Sequence, residues 1–204
     1  MIDDMHYHII AWHRILNELG ADISMYKMKE ECYGKNHELL ERTFPGRFSY
    51  AEKDRMSIEK EKQYQQEYRP KLQLINGLDK FLKDTFEQKI LLAIGSAAIR
   101  FNIDFVLDGL NIRHYFNAVV SADDVNHSKP HPETWMKCAK QLNIDTKDCI
   151  VFEDSPKGVQ AAEAAGMQSV VVTTMHTPDE FKHFRNVICF AKDFSQVSPQ
   201  LFLK

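Results

Sequence analysis

The stretch CIVFEDSPKGVQAAEAAGMQSVVV, residues 149–172, contains two apolar runs separated by a segment of different character. The runs at 149–152 and 169–172 are short and rich in β-branched side chains, which is typical of buried strands. Between them, Pro156 stands near the start of an alanine-rich segment and Gly166 stands just after its end, an arrangement that helices favour. Because two strands joined by a helix pair in parallel, this stretch predicts a parallel sheet covered by helices.

The same alternation extends over the C-terminal two-thirds of the chain. Further apolar runs predict three more strands, at 89–94, 118–120 and 187–190. Helical segments separate the strands, at 77–86, 97–107 and 132–142. Strands such as KILLAI, which are apolar throughout, are buried on both faces of a sheet. We therefore predict an α/β core with a doubly wound parallel sheet over residues 75–204.

Residues 1–74 have a different pattern, with helical periodicity and no strand-like run. Apolar side chains recur there at steps of three and four residues, at Ile9, Trp12, Leu16 and Leu19, and Gly20 then provides a helix stop. A longer polar helix is predicted over 51–68. We therefore predict a separate helical domain over residues 1–74, ahead of the α/β core.

The composition limits the classes of protein to consider. The chain has 204 residues, of which 44% are hydrophobic and 27% charged, with a formal net charge of −3. These fractions are ordinary for a soluble globular protein, and the weak negative charge gives no reason to expect nucleic acid or an anionic membrane as a partner. No apolar run approaches the ~20 residues that span a bilayer. The four cysteines form no CxxC pair, so we expect reduced thiols. Asp3 and Asp4 stand where a signal peptide would carry basic residues, so we expect a cytoplasmic protein. We also expect a monomer.

Polar side chains follow three of the predicted strands, where the carboxyl ends of parallel strands bind ligands. Ser96, predicted at a helix start, can offer its hydroxyl and nearby N–H groups to phosphate oxygens. Lys129 adds a compact positive charge. Glu153 and Asp154, adjacent at a strand end, suit a hard cation such as Mg²⁺. Together they predict a phosphate site with a metal ion.

Each of these elements also has a purely structural interpretation. A serine after a strand is often a helix N-cap, a Lys-Pro pair is often a surface loop, and Glu-Asp-Ser-Pro is often a helix start whose acids complement the helix dipole. Taken separately, the three patterns are weak. Their order along the chain and their shared position at strand ends are far more specific.

Three runs resemble motifs two, three and four of hydrolases of the haloacid dehalogenase (HAD) superfamily, nearest to its β-phosphoglucomutase-like branch. These runs are GSA at 95–97, SKPHPE at 128–133 and VFEDSPKGVQAAEAAGM at 151–167.

The resemblance covers nearly the whole chain and implies a Rossmann-like core, Mg²⁺ as cofactor and phosphoryl transfer through an aspartyl-phosphate from a small phosphorylated metabolite such as a sugar phosphate. By this resemblance, Ser96 and Lys129 hold the transferring phosphoryl group and Ala97 lies in the substrate-binding motif. Glu153 and Asp154 position Mg²⁺.

The chain departs from the family pattern at its N-terminus. The family opens with an apolar strand, then DxDG(T/V)hxD, where h is apolar, and then a helix often reading xxxYHxxAW. Residues 1–3 match hxD and residues 7–12 match the helix. By this alignment the first core strand, the nucleophilic Asp and the acid/base Asp would precede Met1. We therefore expect a strand to be missing between those ending at Ile94 and Phe152, and the 204-residue chain to be inactive. A truncated gene model is the favoured interpretation, and a genuine short form, inactive or completed by another chain, is the alternative.

The resemblance makes residues 1–74 a link and a helical cap, which would close over the site, exclude water and contact the leaving group. The turn at Gly34 resembles a cap loop that reads the substrate, although the mutases carry arginine where this chain has His37. His8 and Lys60 could also reach the substrate. Solvated roles for His37 and Lys60 remain open. Because of the difference at His37, we expect a phosphatase, with a mutase or a non-catalytic binding module as alternatives.

Overall fold

A computed structural model describes residues 1–202 of the chain. Within that range there are eight α-helices: α1 (Met5–Glu18), α2 (Met25–Glu31), α3 (Asn36–Thr43), α4 (Tyr50–Tyr68), α5 (Leu78–Glu87), α6 (Arg100–Gly109), α7 (Glu133–Leu142) and α8 (Pro156–Ala164). The five described strands are β1 (Ala93–Gly95), β2 (Ala118–Val120), β3 (Ile150–Glu153), β4 (Gln168–Val172) and β5 (Val187–Ala191).

The strands form two separate parallel sheets, one of β1 and β2 and the other of β3, β4 and β5 in that order. Ala93 lies opposite Ala118 in the first sheet, and Ile150 lies opposite Gln168 in the second. Every strand pairing is parallel, and helices alternate with strands along the chain. The α/β fold class predicted from the sequence is therefore confirmed.

The predicted strand at 89–94 is wrong over its first four residues, because strand β1 begins only at Ala93. Lys89 has a left-handed backbone, with a φ of +56°. The N–H of Ile90 donates to the carbonyl oxygen of Thr85 at 3.0 Å, which closes the last turn of α5. Lys89 and Ile90 therefore belong to the C-terminal cap of that helix, which requires a left-handed residue at this position.

Two layers of helices cover both sheets. On one face, Phe81 of α5 and Leu107 of α6 belong to an apolar cluster with Val170 of β4, and Ile94 of β1 packs against the same cluster. On the other face, side chains of α7 and α8 form a second cluster that contains Val120, Val151 and Trp135. Each fully buried large apolar side chain contributes about 1.5–3 kcal/mol to folding. Since each cluster crosses from one sheet to the other, the two sheets lie in one layer.

A gap separates the two sheets between β1 and β3. Strand β1 pairs only with β2, and β3 pairs only with β4, among the residues that the structure describes. A cavity of about 1260 Å³ lies here, and residues of both strands line it. The gap therefore lies at the position where the resemblance predicts a further strand.

Helices α1 to α4 have an apolar core of their own. Ile9, Trp12 and Leu16, which carry the predicted helical periodicity, are buried there with Leu39 and Leu40. Helix α4 begins with a capping box, in which the Ser49 hydroxyl accepts from the Glu52 amide at 3.3 Å and the Glu52 carboxylate accepts from the Ser49 amide at 2.8 Å. No strand occurs between residues 1 and 74, as the sequence predicted.

Several hydrogen bonds fix this helical unit over the carboxyl ends of the strands. The Ser128 hydroxyl donates to Glu38 Oε1 at 2.8 Å, and the Lys35 ammonium donates to the carbonyl oxygen of Val125. The Glu38 carboxylate also accepts from the Lys35 amide at 2.9 Å, and so holds the start of α3. The same carboxylate therefore caps a helix and binds the loop that carries Lys129.

Two further expectations concern the chain as a whole. None of the helices described within residues 1–202 has both the length and the hydropathy to cross a membrane. All four cysteines carry free thiols, as expected from their spacing.

Gly158 in the first turn of α8 allows the Glu153 side chain to lie against the helix. We expect Gly158→Ala to destabilise the protein by about 1–3 kcal/mol, because the added methyl group would overlap the Glu153 carboxylate. This loss should exceed the ~1 kcal/mol that alanine usually gains over glycine in a helix. Urea unfolding gives the free energy directly. Gln160→Ala, at an exposed position of the same helix, is the matched control and should change stability little. A stabilised Gly158→Ala variant would contradict the packing argument.

Candidate active site

The four residues predicted to bind phosphate and metal meet at one edge of the sheet layer. Ser96 follows β1, Lys129 lies in the loop between β2 and α7, Glu153 ends β3, and Asp154 comes next. All four line the same cavity. The structure therefore brings together side chains that lie up to 58 residues apart in the sequence.

Lys129 and Glu153 form a largely buried ion pair, with 2.8 Å between Lys129 Nζ and Glu153 Oε1. The ammonium also lies over the ring of Trp135, 4.8 Å from its centroid. The Ser155 hydroxyl donates to the same Glu153 oxygen at 3.1 Å. Burial raises the pKa of the Glu153 carboxyl, but the charge of Lys129 and the hydrogen bonds from Lys129 and Asp154 outweigh burial and hold the pKa below its usual value. Glu153 is therefore ionised at neutral pH and fixes the lysine.

Asp154 lies beside this pair in a different electrostatic environment. Its amide donates to Glu153 Oε2 at 3.0 Å, and its Oδ2 accepts from the Thr174 hydroxyl at 3.2 Å. Burial and the negative charge of Glu153 raise the pKa of Asp154 to about 6. A bound cation would relieve this repulsion, and two carboxylates with hydroxyl neighbours are the oxygen ligands that Mg²⁺ prefers. The two carboxylates therefore fit a magnesium ion. Asp154 is more available to it than Glu153, because Glu153 is paired with Lys129.

Ser96 occupies the loop after β1. Its amide donates to the Val120 carbonyl oxygen at 2.9 Å, and its hydroxyl accepts from the Ala98 amide at 3.1 Å. The expectation that Ser96 stands at a helix start is wrong, because α6 begins only at Arg100, whose amide is capped by the Asp123 carboxylate at 2.8 Å. Ser96 and Ala97 both line the cavity from this loop.

His8 and Lys60 face the cavity from the helical unit, and the two side chains contact each other. His8 Nδ1 lies 2.5 Å from Lys60 Nζ, and His8 Nε2 lies 3.2 Å from the Asp4 carboxylate. The Lys60 ammonium lies 3.0 Å from Glu61 Oε1. Only 2% of the Lys60 surface is exposed, so the alternative of a solvated surface charge is wrong.

The turn at Gly34 lies at the same cavity, but His37 does not line it. Gly34 has a φ of +76°, and a methyl group there would overlap the Glu38 carboxylate, so this turn requires glycine. The His37 ring packs against Tyr50, and its Nε2 lies 3.6 Å from the Asp54 carboxylate. Burial lowers the pKa of His37, and Asp54 opposes that change. The structure therefore brings Gly34 to the site and places His37 away from it.

Sequence reasoning missed Glu61 and Asn36, which lie between the helical unit and the cavity. Glu61 is 2% exposed, and its Oε1 accepts from the Asn36 side-chain amide at 3.0 Å. Its Oε2 is buried and has no hydrogen-bond partner among the described residues. In the sequence, Glu61 lies within the polar run EKEK and carries no signal that separates it from solvated glutamates. The burial of Glu61 becomes apparent only from the packing of α4 against α1 and α3.

His127, His131 and Glu133 also lie close together, with potential ligand atoms within 4.8 Å of one another. Both Glu133 oxygens already accept backbone hydrogen bonds at 3.0 Å, from Asn126 and His127, and Lys137 lies 2.8 Å from one of them. This cluster therefore holds the shape of the loop that carries Lys129.

We expect Lys129→Met to destabilise the protein by about 3–5 kcal/mol at neutral pH, because it leaves the Glu153 charge buried without a partner. Adding Glu153→Gln should recover much of that loss, since the double variant has no unpaired charge. The folded-state pKa of Glu153 lies below its usual 4.5, so the pair contributes fully above pH 4.5 and its contribution is lost as pH falls through the folded-state value. The difference between wild type and Lys129→Met should shrink over that range.

Urea unfolding of the single and double variants between pH 3 and 7 provides the measurement. Lys147→Met, which removes a lysine 74% exposed to solvent, is the control and should have little effect. If Lys129→Met and the double variant lose the same free energy of unfolding, the ion pair does not fix the loop.

Comparison with known proteins agrees with this geometry. A fructose-1-phosphate phosphatase of Escherichia coli is 44% identical over 81 residues, which are 40% of this chain and 43% of that protein. Hexitol phosphatase B of Escherichia coli is 38% identical over 86 residues, 42% of this chain and 39% of that protein. The matching segments thus span less than half of the length of either relative.

Among solved structures, a β-phosphoglucomutase from Clostridium difficile superposes with a TM-score of 0.82 at 26% identity, over 98% of this chain and 89% of that one. The family model for haloacid dehalogenase-like hydrolases matches residues 1–172, which include the strand ends that carry Ser96, Lys129, Glu153 and Asp154. The chain belongs to the haloacid dehalogenase-like hydrolase family.

Proposed function

We propose that this site serves a Mg²⁺-dependent phosphatase that acts on a small phosphorylated metabolite such as a sugar phosphate. The proposal rests on one observation: two groups of polar side chains line the same cavity. One group lies at the strand ends and comprises Ser96, Lys129, Glu153 and Asp154. The other lies in the helical unit and comprises His8, Asn36, Lys60 and Glu61. The first suits a phosphoryl group and the second suits the hydroxyl-bearing remainder of its ester. Membership of a hydrolase family with phosphatase relatives supports it.

On this proposal, the core residues hold the phosphoryl group. The Lys129 ammonium and the Ser96 hydroxyl bind phosphoryl oxygens, and Glu153 orients Lys129 through the 2.8 Å ion pair. Asp154, whose pKa is raised by burial and by Glu153, holds the cation. When bound, Mg²⁺ neutralises negative charge on the phosphoryl oxygens.

The helical unit supplies contacts to the rest of the substrate. A buried acceptor without a partner costs roughly 1–3 kcal/mol, and a substrate hydroxyl would satisfy Glu61 Oε2. His8, Lys60 and Asn36 offer further polar groups beside it. These side chains favour a polyol over an apolar leaving group. The names of the two bacterial relatives, a fructose-1-phosphate phosphatase and a hexitol phosphatase, agree with that preference.

We further propose that the 204-residue chain alone binds phosphate esters without turning them over. Of the described carboxylates that line the cavity, Glu30 and Asp148 are exposed, and four are buried or partly buried: Asp4, Glu61, Glu153 and Asp154. The Asp4 carboxylate accepts a hydrogen bond from the Tyr64 hydroxyl and lies 3.2 Å from His8 Nε2. Glu61 binds Lys60, Glu153 binds Lys129, and Asp154 is assigned to the cation, so none of the four is free to attack a phosphoryl group.

A mutase on the same scaffold is the second candidate, favoured by the 26% identity to the Clostridium difficile β-phosphoglucomutase. The position of His37 outside the cavity argues against it. In a protein that turns over β-glucose 1-phosphate, formation of glucose 6-phosphate faster than release of phosphate would favour the mutase.

Calorimetric titration of the 204-residue chain with fructose 1-phosphate, with and without Mg²⁺, checks the binding proposal. We expect Mg²⁺ to strengthen binding, and Lys129→Met to weaken it by roughly tenfold to a hundredfold, since a charged hydrogen bond contributes about 1.5–3 kcal/mol. Asp154→Asn should remove the effect of Mg²⁺. Lys147→Met is the control. Binding that is indifferent to Mg²⁺ and to Lys129 would exclude the proposed site.

Release of phosphate from a panel of esters by the same protein tests the proposed absence of turnover. We expect no Mg²⁺-dependent release, because none of the four carboxylates at the site is free to act as nucleophile. Mg²⁺-dependent release of phosphate that Asp154→Asn abolishes would contradict the proposed absence of turnover, because it would show catalysis at this site by the 204-residue chain.

Glu61→Gln tests the polyol contact separately from the phosphoryl contacts. We expect it to weaken binding of fructose 1-phosphate by roughly tenfold, since the amide loses a charged acceptor, and to leave inorganic phosphate binding unchanged. Glu59→Gln, an exposed glutamate in the same helix, is the matched control. An equal loss for both ligands would show that Glu61 supports the phosphoryl site or the fold instead.

A further inference from the structure

The loop between β2 and α7 carries a second group of polar side chains, outside the cavity of the proposed phosphoryl site. It consists of His127, His131 and Glu133, whose potential ligand atoms lie within 4.8 Å of one another. Both histidines line a second cavity, of about 630 Å³, together with Ser128 and Pro130. Both imidazole side chains are exposed, so an ion in solution can reach them.

The Glu133 carboxylate fixes the loop and one of the two rings. Its oxygens accept from the backbone amides of Asn126 and His127, each at 3.0 Å. His127 Nδ1 lies 3.1 Å from Glu133 Oε2. In the tautomer that donates from Nδ1 to this carboxylate, the lone pair of the ring is on Nε2. Metal-binding histidines have the same arrangement, in which the second ring nitrogen donates to a carboxylate or a carbonyl group.

The His131 ring lies beside the ring of His127. The two ring centroids are 4.6 Å apart, and the ring planes are inclined by 33°. His131 Nδ1 lies 3.3 Å from the Glu133 amide, a long contact that a rotation of the ring can give up. Two nitrogens bound to one ion lie at most about 4.2 Å apart, which is twice the usual metal–nitrogen distance. Because both side chains are exposed, small ring rotations can bring one nitrogen of each within this distance.

The ligand atoms determine the class of ion. Zn²⁺ and Ni²⁺ bind imidazole well, whereas Mg²⁺ prefers oxygen ligands such as the carboxylates of Glu153 and Asp154. Lys137, two backbone amides and the His127 ring already surround the Glu133 carboxylate. Glu133 therefore orients a ligand, and water would complete the coordination of an ion held by the two imidazoles.

We propose that His127 and His131 form a binding site for a divalent transition-metal ion such as Zn²⁺ or Ni²⁺, in which Glu133 orients the His127 ring. The inference is independent of the proposed phosphatase function, because it uses none of the residues assigned there to the phosphoryl group or to Mg²⁺. The two histidines flank Lys129 along the chain. A bound ion would therefore join both ends of the segment that carries this lysine.

Calorimetric titration of the 204-residue chain with NiCl₂, in an excess of MgCl₂, checks the proposal. The excess Mg²⁺ competes for oxygen ligands, so the heat of binding reports on imidazole ligands. His127→Gln and His131→Gln each remove one proposed ligand. His183→Gln, at an exposed histidine outside the group, is the matched control. Asp154→Asn shows whether the ion binds at the carboxylates instead.

We expect one saturable Ni²⁺ site per chain, from which Zn²⁺ displaces Ni²⁺ and Mg²⁺ does not. Binding should be lost in His127→Gln and in His131→Gln, and it should be retained in His183→Gln and in Asp154→Asn. The proposal is overturned if the chain shows no saturable binding, or if binding persists after either proposed ligand is removed. Loss of binding in Asp154→Asn would assign the ion to the carboxylates, which also overturns it.

NMR spectra of the unsubstituted protein locate the ion without any variant. Ni²⁺ is paramagnetic and broadens the amide signals of residues near it. We expect broadening to begin within residues 126–133 as Ni²⁺ is added. Broadening that begins at Glu153 and Asp154, or elsewhere in the chain, would contradict the proposal even if the histidine variants failed to fold.

Discussion

The ion pair of Lys129 and Glu153 connects the two sheets at the site. Glu153 ends β3 in one sheet, and Lys129 lies in the loop after β2 in the other. Because the sheets share no hydrogen bonds between β1 and β3, this contact and the two apolar clusters hold their carboxyl ends together. Both charges are largely withdrawn from water, so each needs the other, and the position of Lys129, the proposed phosphate ligand, is fixed by the same carboxylate that lies beside the proposed cation site.

The sequence was sufficient to predict the α/β core and the meeting of four chemical groups at one edge. That success has a physical basis: buried parallel strands are apolar throughout, and their carboxyl ends converge, so residues such as Ser96 and Asp154 can be assigned to one place from their position after a strand. The predicted start of β1 failed because Lys89 and Ile90 complete the C-terminal turn of α5. Apolar residues do not distinguish a helix cap from the first residues of a strand.

The residues proposed to contact the substrate were less predictable. Glu61 and Lys60 occur in a run of charges that resembles any solvated helix face, yet both are almost completely buried. Their burial depends on contacts with α1 and α3, which are distant in sequence and have no periodic signature. The prediction for His37 failed in the opposite direction. Its position in the turn after Gly34 suggested a side chain at the cavity, but its ring does not line the cavity. Side-chain direction within a loop depends on tertiary packing, which a single sequence does not specify.

Glu38 connects the position of the helical unit to the chemistry of the core. One of its oxygens accepts from the Lys35 amide at the start of α3, and the other accepts from the Ser128 hydroxyl, one residue before Lys129. Any movement that lifts α3 from the core must break the Ser128 contact, and the loop of Lys129 then loses one of its anchors. Contacts that keep α3 in place therefore also restrict the loop that carries Lys129, and a change that frees α3 would remove a support from that loop as well.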